Sequence, residues 1–288
     1  MREMSIIAED LTYRYGERTA VDHINFQLAA GEVLGFLGPN GAGKSTTMKM
    51  LTGQLRPTEG KAMLLGMDIT QQTSRVRGQI GVAFEMSNLY EKMSAIENLA
   101  LFARLFGVKG FNALTLLEKV GLGGRGQERV AGYSKGMKQR LMLARAMVNQ
   151  PRILFLDEPT DGLDPVSSET IRGIIRDVST NGTTVFLTTH DMMEADKLSH
   201  RVAFINQGKI VALDTPHALK QQFGKRALKI EVQCPDGSLQ TREVILDQPD
   251  TAQNVSHLMA HEQSVTMHTE EATLEDIFIH ITGRGLLS

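Results

Sequence analysis

GPNGAGKST, Gly38 to Thr46, follows the apolar run VLGFLG and precedes the helical stretch TTMKMLTG. Its spacing is G-x-x-x-x-G-K-[ST], a loop whose peptide N–H groups turn toward phosphate oxygens at the positive end of a helix. Gly38, Gly41 and Gly43 let the backbone curl, and Pro39, Asn40 and Ala42 fill the positions between them. Lys44 is placed to neutralise β- and γ-phosphates, Ser45 offers a hydroxyl to Mg2+, and Thr46 closes the motif. A strand before the loop and a helix after it are what this mechanism requires. The stretch therefore predicts an α/β core and an ATP site.

The acids that such a site needs lie downstream. ILFLDE ends a buried apolar run on Asp157 and Glu158. At a strand end beside a phosphate loop, Asp157 can hold Mg2+ directly or through water. Adjacent strand residues point to opposite sides, so Glu158 is free to polarise an attacking water; a solvated acid pair is the plainer alternative. TTVFLTTH ends the next buried run on His190, at the carboxyl edge where ligands gather and within reach of a γ-phosphate. ILFLD and TTVFLTT read as parallel strands buried on both faces, with the helix VSSETIRGIIRDV between them.

The rest of the chain organises around this core. Before the loop, SIIAEDLTYRY and AVDHINFQLAAGE read as an antiparallel sheet feeding the buried strand. From about Glu91 to Gln150 the apolar spacing becomes helical, as in AIENLALFARLFG and LTLLEKVGL, which predicts a helical subdomain. Beyond Phe223 the composition shifts, and ALKIEVQ, SLQTREVIL, TAQNVSHLMAHE, SVTMH and TLEDIFIHITG suggest a small α/β appendage over 225–288.

Composition narrows the classes. The 288 residues carry 31 basic and 33 acidic side chains, a net charge of −2, which gives no global field for a nucleic-acid backbone. No stretch reaches the roughly 18 to 20 apolar residues of a membrane helix. The opening MREMSIIAED lacks an apolar signal-peptide core, so a cytoplasmic protein is expected. The single cysteine, Cys234, allows no intrachain disulfide and reads as a packed thiol.

YSKGMKQRLMLARAMV, Tyr133 to Val148, is a second anion-binding helix start, with Ser134 suited to an N-cap and Gly136 to close backbone approach. One nucleotide does not need two such starts, which suggests a phosphate held by another subunit. With this motif in place, residues 4–224 resemble the nucleotide-binding domain of ATP-binding cassette transporters. The fold implied is a P-loop NTPase with a RecA-like core sheet, an antiparallel β subdomain and a helical subdomain. By that resemblance GPNGAGKST is the Walker A loop, ILFLDE the Walker B strand, YSKGM the signature, Asp161 to Asp164 the D-loop, and His190 the switch histidine. Tyr15 matches the aromatic residue that stacks on adenine, with Tyr13 a strand-face alternative.

The resemblance implies a head-to-tail dimer in which Ser134, Gly136 and Asp164 of one copy complete the ATP site of the other, and hydrolysis with Glu158, His190 and Lys44 as the catalytic set. The metal set would be Ser45, Asp157 and Glu85. Glu85 stands where the family has a glutamine, and Lys135 with Gly136 replaces its usual glycine pair. TLEDIFIHITG is similar to the closing helix of cassettes that drive exporters of drugs and related compounds. A separate transmembrane permease is then the expected partner, with the chain peripheral on the cytoplasmic face and no nucleic acid bound. Met86, Leu89, Tyr90, Met93, Leu101, Phe102 and Phe106 would form the docking groove or ordinary helical core. The appendage reads equally as a packing module and as a regulator. A soluble cassette ATPase acting on ribosomes or DNA is the alternative. The stretch before the signature lacks the coiled-coil heptads expected of one. A phosphate-loop kinase would have no use for YSKGM or TTH.

Overall fold

The computed structural model describes residues 3–85, 88–224, 227–233, 238–246, 249–261, 263–270 and 272–283. A long antiparallel pair, β1 (Met4–Tyr15) and β2 (Arg18–Ala29), precedes β3 (Val33–Leu37), in which every residue is buried. The phosphate loop connects β3 to α1 (Lys44–Leu51). β4 (Glu59–Leu64) pairs antiparallel with β1 and carries β5 (Met67–Asp68), completing a four-stranded sheet in the order β2-β1-β4-β5. α2 (Thr73–Arg77) and β6 (Ile80–Ala83) lead into the helical stretch α3 (Ala95–Leu105), α4 (Ala113–Lys119) and α5 (Lys135–Ala146). The chain then alternates through β7 (Ile153–Asp157), α6 (Pro165–Thr180), β8 (Thr184–Thr189), α7 (Met192–Leu198), β9 (Arg201–Asn206) and β10 (Lys209–Asp214).

These strands form a six-stranded sheet in the order β10-β9-β3-β8-β7-β6, parallel except for the edge strand β10. Its middle strands serve two cores at once because side chains alternate with period two. Ile153 and Phe155 of β7 enter the core shared with the antiparallel sheet, while Leu154 and Leu156 enter the core under the helices. In β8, Phe186 joins the first core, and Val185 and Leu187 the second. A row of aromatic rings, Phe26, Phe36, Phe186 and Phe155, ties the first together at centroid spacings of 5.2 to 5.9 Å. The strand pair at β3 and β8 is thus buried on both faces, and its carboxyl ends lead out to the exposed Asn40 and His190.

Residues 215–288 form a separate compact unit. It comprises α8 (Pro216–Phe223), β11 (Ala227–Gln233), β12 (Leu239–Ile245), α9 (Thr251–His261), β13 (Gln263–Glu270) and α10 (Leu274–Thr282), with the strands in antiparallel order β12-β11-β13. Leu228, Ile230, Val232 and Val244 make its own small core, covered by Val255 and Leu258 of α9. The units divide one helix earlier than the composition shift near residue 224, because α8 packs with α10. Cys234 lies outside the described residues.

Candidate nucleotide site

β3 sits between β9 and β8, so the phosphate loop emerges at the middle of the sheet edge. Gly43 has φ +115°, and a Cβ there would sit 2.7 Å from the Ala20 carbonyl oxygen, so no other residue fits that turn. No side-chain hydrogen bond caps α1 at Gly43, which leaves its first-turn N–H groups for an anion. Lys44 Nζ donates to the Gly38 carbonyl at 2.6 Å and the Pro39 carbonyl at 3.4 Å, so the loop curls around its own lysine. Lys44 is buried, and burial pulls its ammonium below the ordinary lysine range against the opposing pull of Glu158, Asp157 and Glu85.

The acids lie across from it. Asp157 ends β7 in register with Thr188 of β8, whose hydroxyl donates to Asp157 Oδ1. Glu158 lies past the strand, and its direction is set by a left-handed backbone, φ +48°, rather than by the strand pleat expected from sequence. Such a conformation costs about 1–3 kcal/mol for a residue with a side chain. Two backbone bonds fix it: Glu158 N–H donates to the Thr188 carbonyl at 3.0 Å, and Asp161 N–H to the Glu158 carbonyl at 3.2 Å. The turn brings Glu158 Oε1 to 3.7 Å from Lys44 Nζ. Its Oε2 accepts the His190 backbone N–H at 3.2 Å and lies 2.9 Å from His190 Nδ1.

Lys44, Asp157 and Glu158 border a cavity of about 230 Å3, whereas His190 does not line it and reaches it only through Glu158. Pro39, Asn40, Gly41, Gly43 and the first residues of α1, Lys44, Ser45 and Thr46, form one wall. Asp157, Glu158 and Glu85 form another. Gly38 serves through its carbonyl, and Ala42 is buried behind the loop, its carbonyl accepting Gly208 N–H at 2.9 Å. Tyr15 opens onto the cavity at 48% exposure and meets Tyr13 edge-on at 4.8 Å, while Tyr13 packs against the core. Arg18 and Ala20 also line the cavity and were not anticipated; Arg18 faces Tyr15 across the β1–β2 hairpin, a pairing the short turn at Gly16 and Glu17 implies.

Ser134, Gly136 and Asp164 do not line this cavity. Ser134 caps α5 by accepting Met137 N–H at 3.3 Å, and Asp164 caps α6 by accepting Ser167 N–H at 2.9 Å. The two helix starts press together at Gly136, where a Cβ would stand 2.6 Å from Ser167 Oγ. Glu85 follows β6, and Met86 lies outside the described residues. Beyond it, buried Arg145 of α5 donates to both oxygens of Asn88, at 2.9 Å to the backbone one, and lies 4.7 Å over the Phe102 ring. Of the remaining proposed docking residues, Tyr90 and Phe106 are exposed, whereas Leu89 and Phe102 pack on the helical core.

One buried carboxyl was not anticipated at all. Glu194 of α7 is 2% exposed, takes a 3.5 Å hydrogen bond from the Thr189 hydroxyl on Oε2, and has no partner for Oε1 among the described residues. Burial raises its pKa, Asp191 adds to the rise, and Thr160 opposes it.

The site's chemistry fits a nucleotide with magnesium. Among the described residues no three His, Cys, Asp or Glu side chains form a metal cage. The Asp157 carboxylate and the Ser45 hydroxyl instead line the same cavity as the uncapped start of α1, an incomplete oxygen set of the kind Mg2+ fills with phosphate and water. A profile of the ABC transporter family matches residues 21–161. A fluoroquinolones export ATP-binding protein of Mycobacterium tuberculosis is 42% identical over 96% of this chain and 92% of its own length. The chain belongs to the ABC transporter family. A daunorubicin resistance ATP-binding protein of Streptomyces coeruleorubidus is 34% identical over 97% of this chain and 95% of its own. Among solved structures, an ATP-binding subunit of an ABC transporter superposes with a TM-score of 0.69 at 28% identity, covering 76% of this chain and 92% of that one. A dimeric ATP-binding cassette in a post-hydrolysis state, bound to ADP and Pi, gives 0.67 at 26% identity, covering 73% and 98%. The P-loop NTPase fold and the ATPase activity of an ABC ATP-binding subunit follow.

Proposed function

We propose that this ABC ATPase powers export of a substrate across a membrane through a separate permease subunit, as a head-to-tail dimer with ATP between the copies. The observation that carries the dimer is the separation of two phosphate-directed helix starts: α1 borders the cavity, and α5, with Ser134 at its cap, does not. The relatives named for drug export support the direction of transport. Among the described residues no helix is long and apolar enough to cross a membrane; in this reading the permease is another chain and this one is peripheral on the cytoplasmic face.

In this reading Lys44 and the α1 N–H groups hold the phosphates, with Tyr15 beside the base. Asp157 and Ser45 hold Mg2+, with Glu85 at the edge of the same set; the ion supplies a Lewis acid at the phosphate oxygens. Glu158 polarises the attacking water, and His190 fixes its carboxylate through Nδ1. Ser134, Gly136 and Asp164 of the second copy close the site from the other side.

Glu158→Gln tests this. The variant is expected to bind ATP, lose turnover by about 10²- to 10⁴-fold, and accumulate as an ATP-bound dimer by light scattering. Monomers at saturating ATP would overturn the shared site. Co-purification from native membranes is expected to recover a membrane subunit, and recovery of ribosomes in its place would overturn the export reading.

A further inference from the structure

A line of ionisable side chains runs from one helix start to the other within a single chain. Lys44 faces Glu158 at 3.7 Å, and Glu158 meets His190 Nδ1 at 2.9 Å. His190 Nε2 lies 3.8 Å from Asp161 Oδ1, and Asp161 Oδ2 lies 3.8 Å from Lys135 Nζ. Lys135 is the first residue of α5, the position where the sequence departs from the glycine pair of the signature.

A cation in the first turn of a helix opposes the helix dipole, and α5 has no acidic residue in that turn to offset it. Lys135 reaches instead to the loop after Glu158, passing so close to Gly162 that a Cβ there would lie 2.4 Å from Nζ. The ion pair it makes is weak by construction, with side chains 62% and 43% exposed. A phosphate arriving at the start of α5 offers more charge than Asp161 and stronger, charge-assisted hydrogen bonds. Lys135 is therefore held, but not locked, beside the carboxylate that also faces His190.

We propose that Lys135 links the two ATP sites of the dimer: it rests on Asp161 until the γ-phosphate of the partner copy's nucleotide reaches α5, then moves to that phosphate and leaves Asp161 to His190. With Lys135 gone, Asp161 acts on His190 alone, and His190 steadies Glu158 over this chain's own nucleotide. Occupancy of one site thereby prepares the other. Asp161 is a positioning residue in this scheme, acting through His190, and the scheme rests on the head-to-tail reading above.

The test combines ATP titrations of dimer formation by light scattering, in the Glu158→Gln background, with the Hill coefficient for hydrolysis in chains that keep Glu158. Lys135→Gly and Lys135→Gln are expected to raise the ATP concentration for half-maximal dimerisation several-fold and to lower the Hill coefficient from about 2 toward about 1. Lys135→Arg is expected to keep both values. Asp161→Asn is expected to lower the Hill coefficient while the dimerisation midpoint stays within about twofold, a split that general loss of structure would not give. Native midpoint and native Hill coefficient in both Lys135→Gly and Lys135→Gln would overturn the proposal. No ATP-dependent dimer with Lys135 intact would instead overturn the head-to-tail reading on which it rests.

Discussion

The starts of α1 and α5 are both suited to receive phosphate and are built in opposite ways. At α1 no side chain caps the helix, Lys44 is buried, and Asp157 and Glu158 wall the space in front. At α5 Ser134 supplies its own cap, Lys135 is mostly exposed, and the start lies away from the cavity. A start that keeps a nucleotide can leave its N–H groups open, because the loop and Lys44 hold them in shape. In the proposed dimer, the α5 start would meet phosphate only when a partner brings it and so must be stable in water alone, which a serine cap provides.

The comparison breaks most sharply at Lys44. Lys44→Ala is expected to lower turnover by more than about 100-fold, the scale for loss of one preorganised charge-stabilising group, as measured by phosphate release. Unchanged hydrolysis would show that α1 is not the holding start. At α5, Gly136→Val drives a branched side chain into Ser167, where even a Cβ would stand 2.6 Å from the hydroxyl. A loss of about 1–3 kcal/mol is expected in chemical denaturation, partly recovered by Ser167→Gly. Ser134→Ala is expected to cost about 1 kcal/mol of stability and to weaken ATP-dependent dimerisation as well. A stability loss with native dimerisation would leave Ser134 as a cap and nothing more.

Much of this arrangement is legible in the sequence, for a physical reason. GPNGAGKST, ILFLDE and TTVFLTTH each join a long apolar run to polar residues, and a run buried on both faces can end only at a sheet edge, so the three motifs had to converge. The antiparallel pair, the helical stretch and the strands of the second unit were legible from period two and from three- and four-residue spacing. Other features depend on contacts distant in sequence. Arg18 borders the cavity because the hairpin pairs it with Tyr15, and Thr188 holds Asp157 because β8 lies beside β7 in register. Glu158 takes its direction from a left-handed backbone that no side-chain pattern announces. β9 and β10 passed unread although Gln207 and Gly208 make a compact turn between them. Glu194 carries no pattern that singles it out in the sequence. It is buried because α7 turns that face inward, between the threonines that precede Asp161 and His190.

Glu194 therefore sits against Thr189 and Thr160, the residues next to His190 and Asp161 that the proposal makes the link between the two helix starts, and its proton offers the finest test of that link. Burial raises its carboxyl above the ordinary value of 4.5. The folded chain then keeps this proton to higher pH than the unfolded chain does. The resulting stability is fully present below about pH 4.5 and is lost as pH rises through the raised value. Glu194→Gln keeps the shape and removes the titration, so the decline in thermal midpoint across that window is expected to be shallower in the variant than in the native chain. The effect is small because one group contributes it, and the difference between the two curves isolates it from the other carboxylates. Parallel curves would mean that the buried oxygen pair gives up its proton at the ordinary value, and that the loops carrying Asp161 and His190 rest on a charged support.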